Sequence, residues 1–239
     1  MRTVQRKAQE VAARERMFVG LALEMVKRVG FHNLTLGKLA TEAGYSKGTV
    51  YNHFTCREDL LIELSTENAR QQLRYYQAVA DLPLGGVSAL YALALAYLRH
   101  AEVSPVLFES SITARTEAVC ALASEERMRR RDLVESQMAQ VVSSVVDRTV
   151  TERAFDNAHL TPDVAVDALR SSILGYAATH LLSERFLWST ERDAESQLLT
   201  LAAMVHGLGW PYLGLDELRA LQRTVVGVVD VSPSDVYVG

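Results

Sequence analysis

The sequence predicts an all-α fold, and three observations lead to it. Apolar residues recur at helical spacing through most of the 239 positions, the interruptions fall at glycine, proline and capping residues, and only the closing run "VVGVVDV" has the apolar density of a strand. Hydrophobic residues make up 49% of a chain with only five prolines, which favours a globular protein with a substantial core and room for two domains over a disordered or fibrous one.

Val11, Met17, Leu21, Met25 and Val29 form the apolar stripe of a first helix over 6–29, which Gly30 ends in the manner of a C-cap. Thr35 caps a second helix through Glu42, with Leu36, Leu39 and Ala40 on its inner side. Ala43-Gly44 breaks it, and Ser46 opens a third short helix to about His53. Thr55-Cys56-Arg57-Glu58 has capping-box form, and a long fourth helix follows through Leu60, Leu61 and Leu64 to about Val79. The stretch "DLPLGG", Asp81 to Gly86, punctuates the chain there.

Further helical patterns run over 88–101, 104–111 and 115–149, the last charged around "SEERMRRRD". Thr161-Pro162-Asp163 combines a threonine cap, a proline at the first helical position and an acid at the positive end of the helix dipole. It opens a helix to about Trp188, and another spans 192–206. The tail from Leu215 begins helical, and at "VVGVVDV" periodicity fits strand and helix alike.

Charge separates the two ends. Residues 1–60 carry ten Lys and Arg against six Asp and Glu, while the remaining 179 carry 15 against 23. A basic head on an acidic body points the head alone toward a polyanion. Within that head, "TLGKLATEAGYSKGTVYNHF" (Thr35 to Phe54) packs two short helices around Gly44. Two helices joined so tightly let the first brace the second, which then projects its N-terminal half and one face outward, as in a helix-turn-helix that enters the major groove of DNA. Leu39, Ala40, Val50 and Phe54 are the expected inner positions, and Lys47, Gly48, Thr49, Tyr51, Asn52 and His53 the exposed ones. Lysine reaches guanine or phosphate, threonine a thymine methyl or a phosphate, and tyrosine and histidine donate to phosphate oxygens.

Thr35, Leu39-Ala40, Ala43-Gly44, Ser46, Gly48-Thr49-Val50-Tyr51, His53-Phe54 and Glu58-x-Leu60 resemble the signature of TetR-family transcriptional regulators, over roughly residues 12–72. The resemblance implies an all-helical homodimer, each subunit with an N-terminal three-helix helix-turn-helix domain and a larger C-terminal helical ligand-binding and dimerisation domain. It divides the chain into 1–80, the DNA-binding domain with its linking fourth helix (core 12–72, helix-turn-helix 35–54), 81–214, the effector-binding and dimerisation domain, and 215–239, a C-terminal helix and tail. It also brings Thr35 and the start of the fourth helix toward phosphates, Arg57 standing where the family usually has lysine, and Ser46 is a further candidate DNA-binding residue. Cys56 stands where serine or asparagine is common, which weakens one cap.

The helix from Thr161 is apolar on more than one side. Val166, Leu169, Ile173, Tyr176 and His180 make one stripe, Ala168, Leu174, Ala178 and Leu182 another, so both faces need cover. One face fits its own body and the other a twin, with Leu174, Gly175, Ala178, Leu182, Leu199 and Ala203 as the candidate dimer interface. An effector pocket is expected among the middle helices, with Tyr76, Tyr91, Tyr97, Phe108, Tyr176 and Trp188 as aromatic walls and His100, Glu109, Arg115 and His180 as polar anchors. The apolar majority favours a mostly hydrophobic effector, whose identity the sequence does not name.

Other classes find little support. No nucleophile and base pair, phosphate loop or metal-ligand spacing among the six histidines and two cysteines speaks for an enzyme, a metal or a cofactor. The uncharged runs 82–98 and 196–215 are broken by Gly and Pro and read as buried helices rather than membrane spans, and two distant cysteines without a signal peptide suggest a cytoplasmic address. The run "RMRRR", Arg127 to Arg131, lies among acids and reads as a solvated helix face rather than a second nucleic-acid patch. The leading expectation is a repressor on a palindromic operator of double-stranded DNA, released by a small effector. The competing one is a DNA-binding helix-turn-helix protein whose body takes a protein partner.

Overall fold

The computed structural model describes residues 2–181 and 193–231, and these are helical, with turns between the helices and no strand among them. The elements are α1 (Arg2–Val29), α2 (Leu36–Ala43), α3 (Lys47–Tyr51), α4 (Arg57–Ala80), α5 (Gly86–Val103), α6 (Pro105–Thr113), α7 (Glu117–Cys120), α8 (Glu125–Thr151), α9 (Pro162–Tyr176), α10 (Ala194–Gly207) and α11 (Leu215–Val231), with a π-helical turn at Ala177–Leu181. Among the described residues none of these helices is long and apolar enough to cross a membrane.

The chain folds as two units. Residues 2–69 and 106–133 form one, and 70–105, 134–181 and 193–231 the other. This differs from a division in chain order at residue 80, because α6, α7 and the first turns of α8 belong with the head. Leu107, Ala114 and Val119 enter the same core as Phe18, Ala22, Val26, Leu39, Val50, Phe54, Leu60 and Leu64. The single helix expected over 115–149 is accordingly two. The chain turns at Ala121–Ser124, where Val119 is buried and the Ser124 amide donates to Asp59 Oδ1 at 2.7 Å.

Local capping follows the sequence at most starts. The Thr35, Ser46 and Thr161 hydroxyls accept from Lys38, Thr49 and Val164 amides, and the Asp193 carboxylate accepts from Ser196 at 2.6 Å. The box opening α4 closes through Asp59 rather than Glu58. Its carboxylate accepts from the Thr55 amide at 3.0 Å and the Thr55 hydroxyl at 2.6 Å. Burial by itself raises the Asp59 pKa, but the bonds from Thr55 and Ser124 outweigh it and hold the group below its ordinary value. Cys56 is half-buried, with its thiol donating to Leu122 O at 3.3 Å.

In the second unit α5 is buried nearly all round, from Ala89 to Ala101, with α9, α10 and α11 packed on it. The ambiguous tail is helical. Leu218, Leu221, Val225 and Val229 are buried at helical spacing, so the valine run continues the stripe that "LDELRALQRT" begins. The first turn of α5 meets the last of α8 at Gly86. The Gly86 amide donates to both Glu152 oxygens at 2.9 and 3.0 Å. A Cβ there would stand 2.8 Å from the Thr149 backbone nitrogen. Thr149 is itself fixed from beyond, its hydroxyl accepting from Trp210 Nε1 at 2.9 Å.

Candidate nucleic-acid interface

The presentation of α3 begins with its turn. Gly44 sits at φ 68°, a left-handed conformation that costs a side chain strain, and its amide closes α2 by donating to Ala40 and Thr41 carbonyls. Tyr45 and Ser46 then lead into α3, whose Ser46 hydroxyl accepts from the Thr49 amide at 3.1 Å and meets the Thr49 hydroxyl at 2.9 Å. Val50 and Phe54 are fully buried beneath it, beside Leu39 and Ala40 of α2. What remains outside is a small face. Lys47, Gly48, Tyr51 and Asn52 are exposed, Tyr51 by 51%, and Thr49 is half-exposed between them. Thr35 at the start of α2 is exposed as well.

Two expected DNA-facing residues stand differently. His53, expected on the outer face, is turned inward. Its side chain is 5% exposed, its ring lies edge-on to Phe18 at 5.2 Å, and Nδ1 is 3.5 Å from Glu15 Oε2. Arg57 is half-buried, its guanidinium donating to Leu34 O at 2.9 Å and Phe31 O at 2.7 Å, so it braces the loop before α2. A residue that the sequence pattern does not single out joins the outer surface. Tyr45 is 40% exposed, edge-on to Phe18 at 5.5 Å, with Arg14 over its ring at 5.5 Å.

The arginine run is not uniformly a solvated face. Arg129 and Arg130 are exposed, but Arg127 and Arg131 are buried. Arg127 Nη1 lies 2.6 Å from Glu15 Oε1 and 2.5 Å from Glu63 Oε2, Nη2 donates to His53 O at 2.9 Å, and the guanidinium carbon sits 4.9 Å from the Phe54 ring centre. Burial alone would raise the Glu15 pKa, but the hydrogen bond and charge of Arg127, helped by His53 and Arg130, hold it below the ordinary value. The same carboxylates raise Arg127 against the cost of its burial, so the guanidinium stays charged.

The expected effector residues are dispersed. Phe108, Glu109 and Arg115 belong to the unit that holds the head, while Tyr76, Tyr91, Tyr97, His100, Tyr176 and His180 belong to the other, and Trp188 lies outside the described residues. In the second unit Tyr76 is buried, its hydroxyl accepting from Gln72 at 3.2 Å, and Tyr176 stacks on His180 with ring centres 4.3 Å apart. Tyr91 OH donates to Pro211 O at 3.1 Å, and burial pushes its pKa up to about 12. Among the described residues no His, Cys, Asp and Glu cluster is arranged to hold a metal ion.

His100 is fully buried against Tyr75, and burial, aided by the charge of Arg74, pushes its pKa down to about 4 from the usual 6.5. The unfolded chain therefore takes up the proton first, and stability falls as pH drops from 6.5 toward 4. The parent should lose about 2 kcal/mol between pH 7 and pH 5 through this group. Chemical denaturation of the parent and His100→Phe at the two pH values checks it, the variant's loss being smaller by that amount.

Of the candidate interface residues, Gly175 and Ala203 are exposed, Leu199 is 41% exposed, Leu174 and Ala178 are half-buried, and Leu182 lies outside the described residues. On α9 the stripe Ala165, Leu169 and Ile173 is buried. The other side, at Leu174, Gly175 and Ala178, keeps part of its surface open.

A short helix capped by serine, set by a left-handed glycine and backed by an apolar core, with lysine, threonine and tyrosine outward, places the head among helix-turn-helix DNA-binding domains. Residues 19–64 match the family model described as bacterial regulatory proteins, tetR family, which supports a regulator of that family. Its members are non-enzymatic, DNA-binding transcriptional regulators. The fatty acid metabolism regulator protein of Bacillus subtilis (strain 168) is 36% identical over 53 residues, which is 22% of this chain and only 27% of that protein's length. A bacterial regulatory protein of the tetR family from Rhodococcus RHA1 shares the fold with TM-score 0.62 at 18% identity, covering 83% of this chain and 98% of that one. SmeT in complex with triclosan does so with TM-score 0.57 at 16% identity, covering 82% and 91%.

Proposed function

We propose that the protein is a transcriptional repressor that binds a palindromic operator as a homodimer and is released by a small, largely apolar effector. The observation that carries the reading is the outer face of α3, where Lys47, Thr49 and Tyr51 stand over fully buried Val50 and Phe54. Thr35, Ser46, Gly48 and Asn52 complete the DNA-facing surface, and Arg57 contributes by holding the loop before α2. Two copies would meet through α9 and α10, where Gly175, Leu199 and Ala203 are open on the isolated chain.

The effector reading is supported by the apolar interior around α5 and by what two relatives are named for, a fatty acid regulator and a triclosan complex. Tyr76, Tyr97, Tyr176, His180 and His100 are the candidate ligand-facing residues within the second unit, His100 as a neutral imidazole. The helices α4 and α8 each contribute residues to both units, so a ligand in the body has two continuous helices through which to act. It does so only by binding the two states differently. A tenfold change in operator affinity requires a preference of about 1.4 kcal/mol, within the usual coupling range of about 1–3 kcal/mol.

Thermal-shift screening of apolar metabolites, each hit then titrated into the protein–operator complex, tests it. Hits that raise the melting temperature should weaken operator binding at least tenfold. Hits that stabilise the protein and leave operator affinity unchanged would contradict the release mechanism and favour a body that takes a protein partner.

A further inference from the structure

We propose that Arg127, in the first turn of α8, is a positioning residue for DNA binding. It fixes the C-terminal end of the recognition helix from a point far outside the helix-turn-helix. The inference rests on the reading that α3 faces DNA.

A five-residue helix cannot hold itself, since so short a helix is unstable alone and leaves its last carbonyls without partners. Ser46 secures the start of α3 and Val50 its underside. The end is held by Arg127, which donates to His53 O at 2.9 Å and covers the Phe54 ring at 4.9 Å. Through Nη1 the same guanidinium is tied to Glu15 of α1 at 2.6 Å and Glu63 of α4 at 2.5 Å. One planar group thus joins α1, α4, α8 and the end of the recognition helix. Two further bonds seat the segment that carries it, Ser124 N to Asp59 Oδ1 at 2.7 Å and Cys56 Sγ to Leu122 O at 3.3 Å.

Geometry makes arginine necessary here. The fork delivers separate N–H donors to two carboxylates and a carbonyl at fixed angles, whereas a lysine ammonium is a single point that cannot span them. Because the direction of α3 sets where Lys47 and Tyr51 point, a small rotation of its end displaces every side chain on its outer face.

The test uses the full-length chain with a selected operator and two variants. Arg127→Lys keeps the charge and loses the fork. The second, Arg127→Met combined with Glu63→Gln, removes opposite charges together so that the head does not fail to fold for want of a counter-ion. Both should retain the parent's helical circular dichroism and oligomeric state, bind the operator at least tenfold more weakly, and exchange the amides of Asn52, His53 and Phe54 at least tenfold faster. Interior amides of α1 and α4 should stay within twofold of the parent. Operator affinity and 52–54 exchange both within twofold of the parent would overturn the proposal, even if the melting temperature fell, because Arg127 would then only stabilise the head. If the parent itself binds no DNA, the DNA-binding reading fails, and the exchange measurement still decides whether Arg127 holds the end of α3.

Discussion

Replacing Lys47 and Tyr51 together by alanine is expected to weaken operator binding at least 100-fold while leaving the melting temperature within about 2 °C of the parent. Both side chains are exposed on α3, so their removal takes away no core packing, and surface substitutions of this kind typically move stability by only about 0.5 kcal/mol. In a dimer each substitution counts twice. Four interactions with DNA removed, at a modest energy apiece, readily exceed the roughly 2.7 kcal/mol that a 100-fold change requires. The salt dependence distinguishes their roles. If Lys47 neutralises a phosphate, the slope of log affinity against log salt should become shallower by about 0.9 for each phosphate no longer neutralised. Operator titrations at several salt concentrations read both quantities, and an unchanged affinity and slope would remove α3 from the interface.

This face is legible in the sequence because its determinants are local. The Thr35 and Ser46 caps and the left-handed Gly44 each act on amides or carbonyls within four residues, and Val50 and Phe54 lie on the same short segment they bury. A pattern of residue types at fixed spacing carries that information. What escapes the pattern depends on partners distant in sequence. His53 faces inward because Phe18 and Glu15 of α1 and the backbone grip of Arg127 are there to receive it, and nothing in the neighbouring sequence of α3 indicates this.

The arginine run shows the same limit from the other side. Among acids at helical spacing every arginine reads as solvated, and only the placement of α8 against Glu15 and Glu63 buries Arg127. Chain order groups Phe108, Glu109 and Arg115 with the body, but the core that α6 and α7 complete is that of the head. The tail is ambiguous in sequence because a valine run is apolar at every period. Its helicity follows from the four residues that continue one stripe along α5.

The largest effect on stability is expected in the body, at Gly86→Val. A Cβ at this position would lie 2.8 Å from Thr149 N and 2.9 Å from Glu152 Oε2. The first neighbour is backbone, held by the Trp210 bond to Thr149, and cannot swing aside as a flexible side chain can. Relief requires the start of α5 to move off α8, which breaks the two Gly86 amide bonds to Glu152 and uncovers buried Thr149. Overpacking at such a site costs about 3 kcal/mol or more, equivalent to a fall of roughly 6–12 °C in melting temperature for a chain of this length. Gly227→Ala in α11 is the control. A Cβ there would meet no neighbouring atom within 4 Å, so this substitution should be neutral or stabilise by about 0.4–1 kcal/mol. Equal melting temperatures for Gly86→Val and the parent would mean that α5 and α8 do not meet at this glycine.

The central claim, a symmetric DNA-binding dimer that reads its site through α3, is tested most directly by selecting bound sequences from a random duplex pool and measuring the stoichiometry of the resulting complex by sedimentation. The expected result is an inverted repeat whose half-sites are separated by about one turn of DNA or a multiple of it, occupied by two chains. A pool without enrichment, or an enriched sequence without internal symmetry held by a single chain, would contradict it.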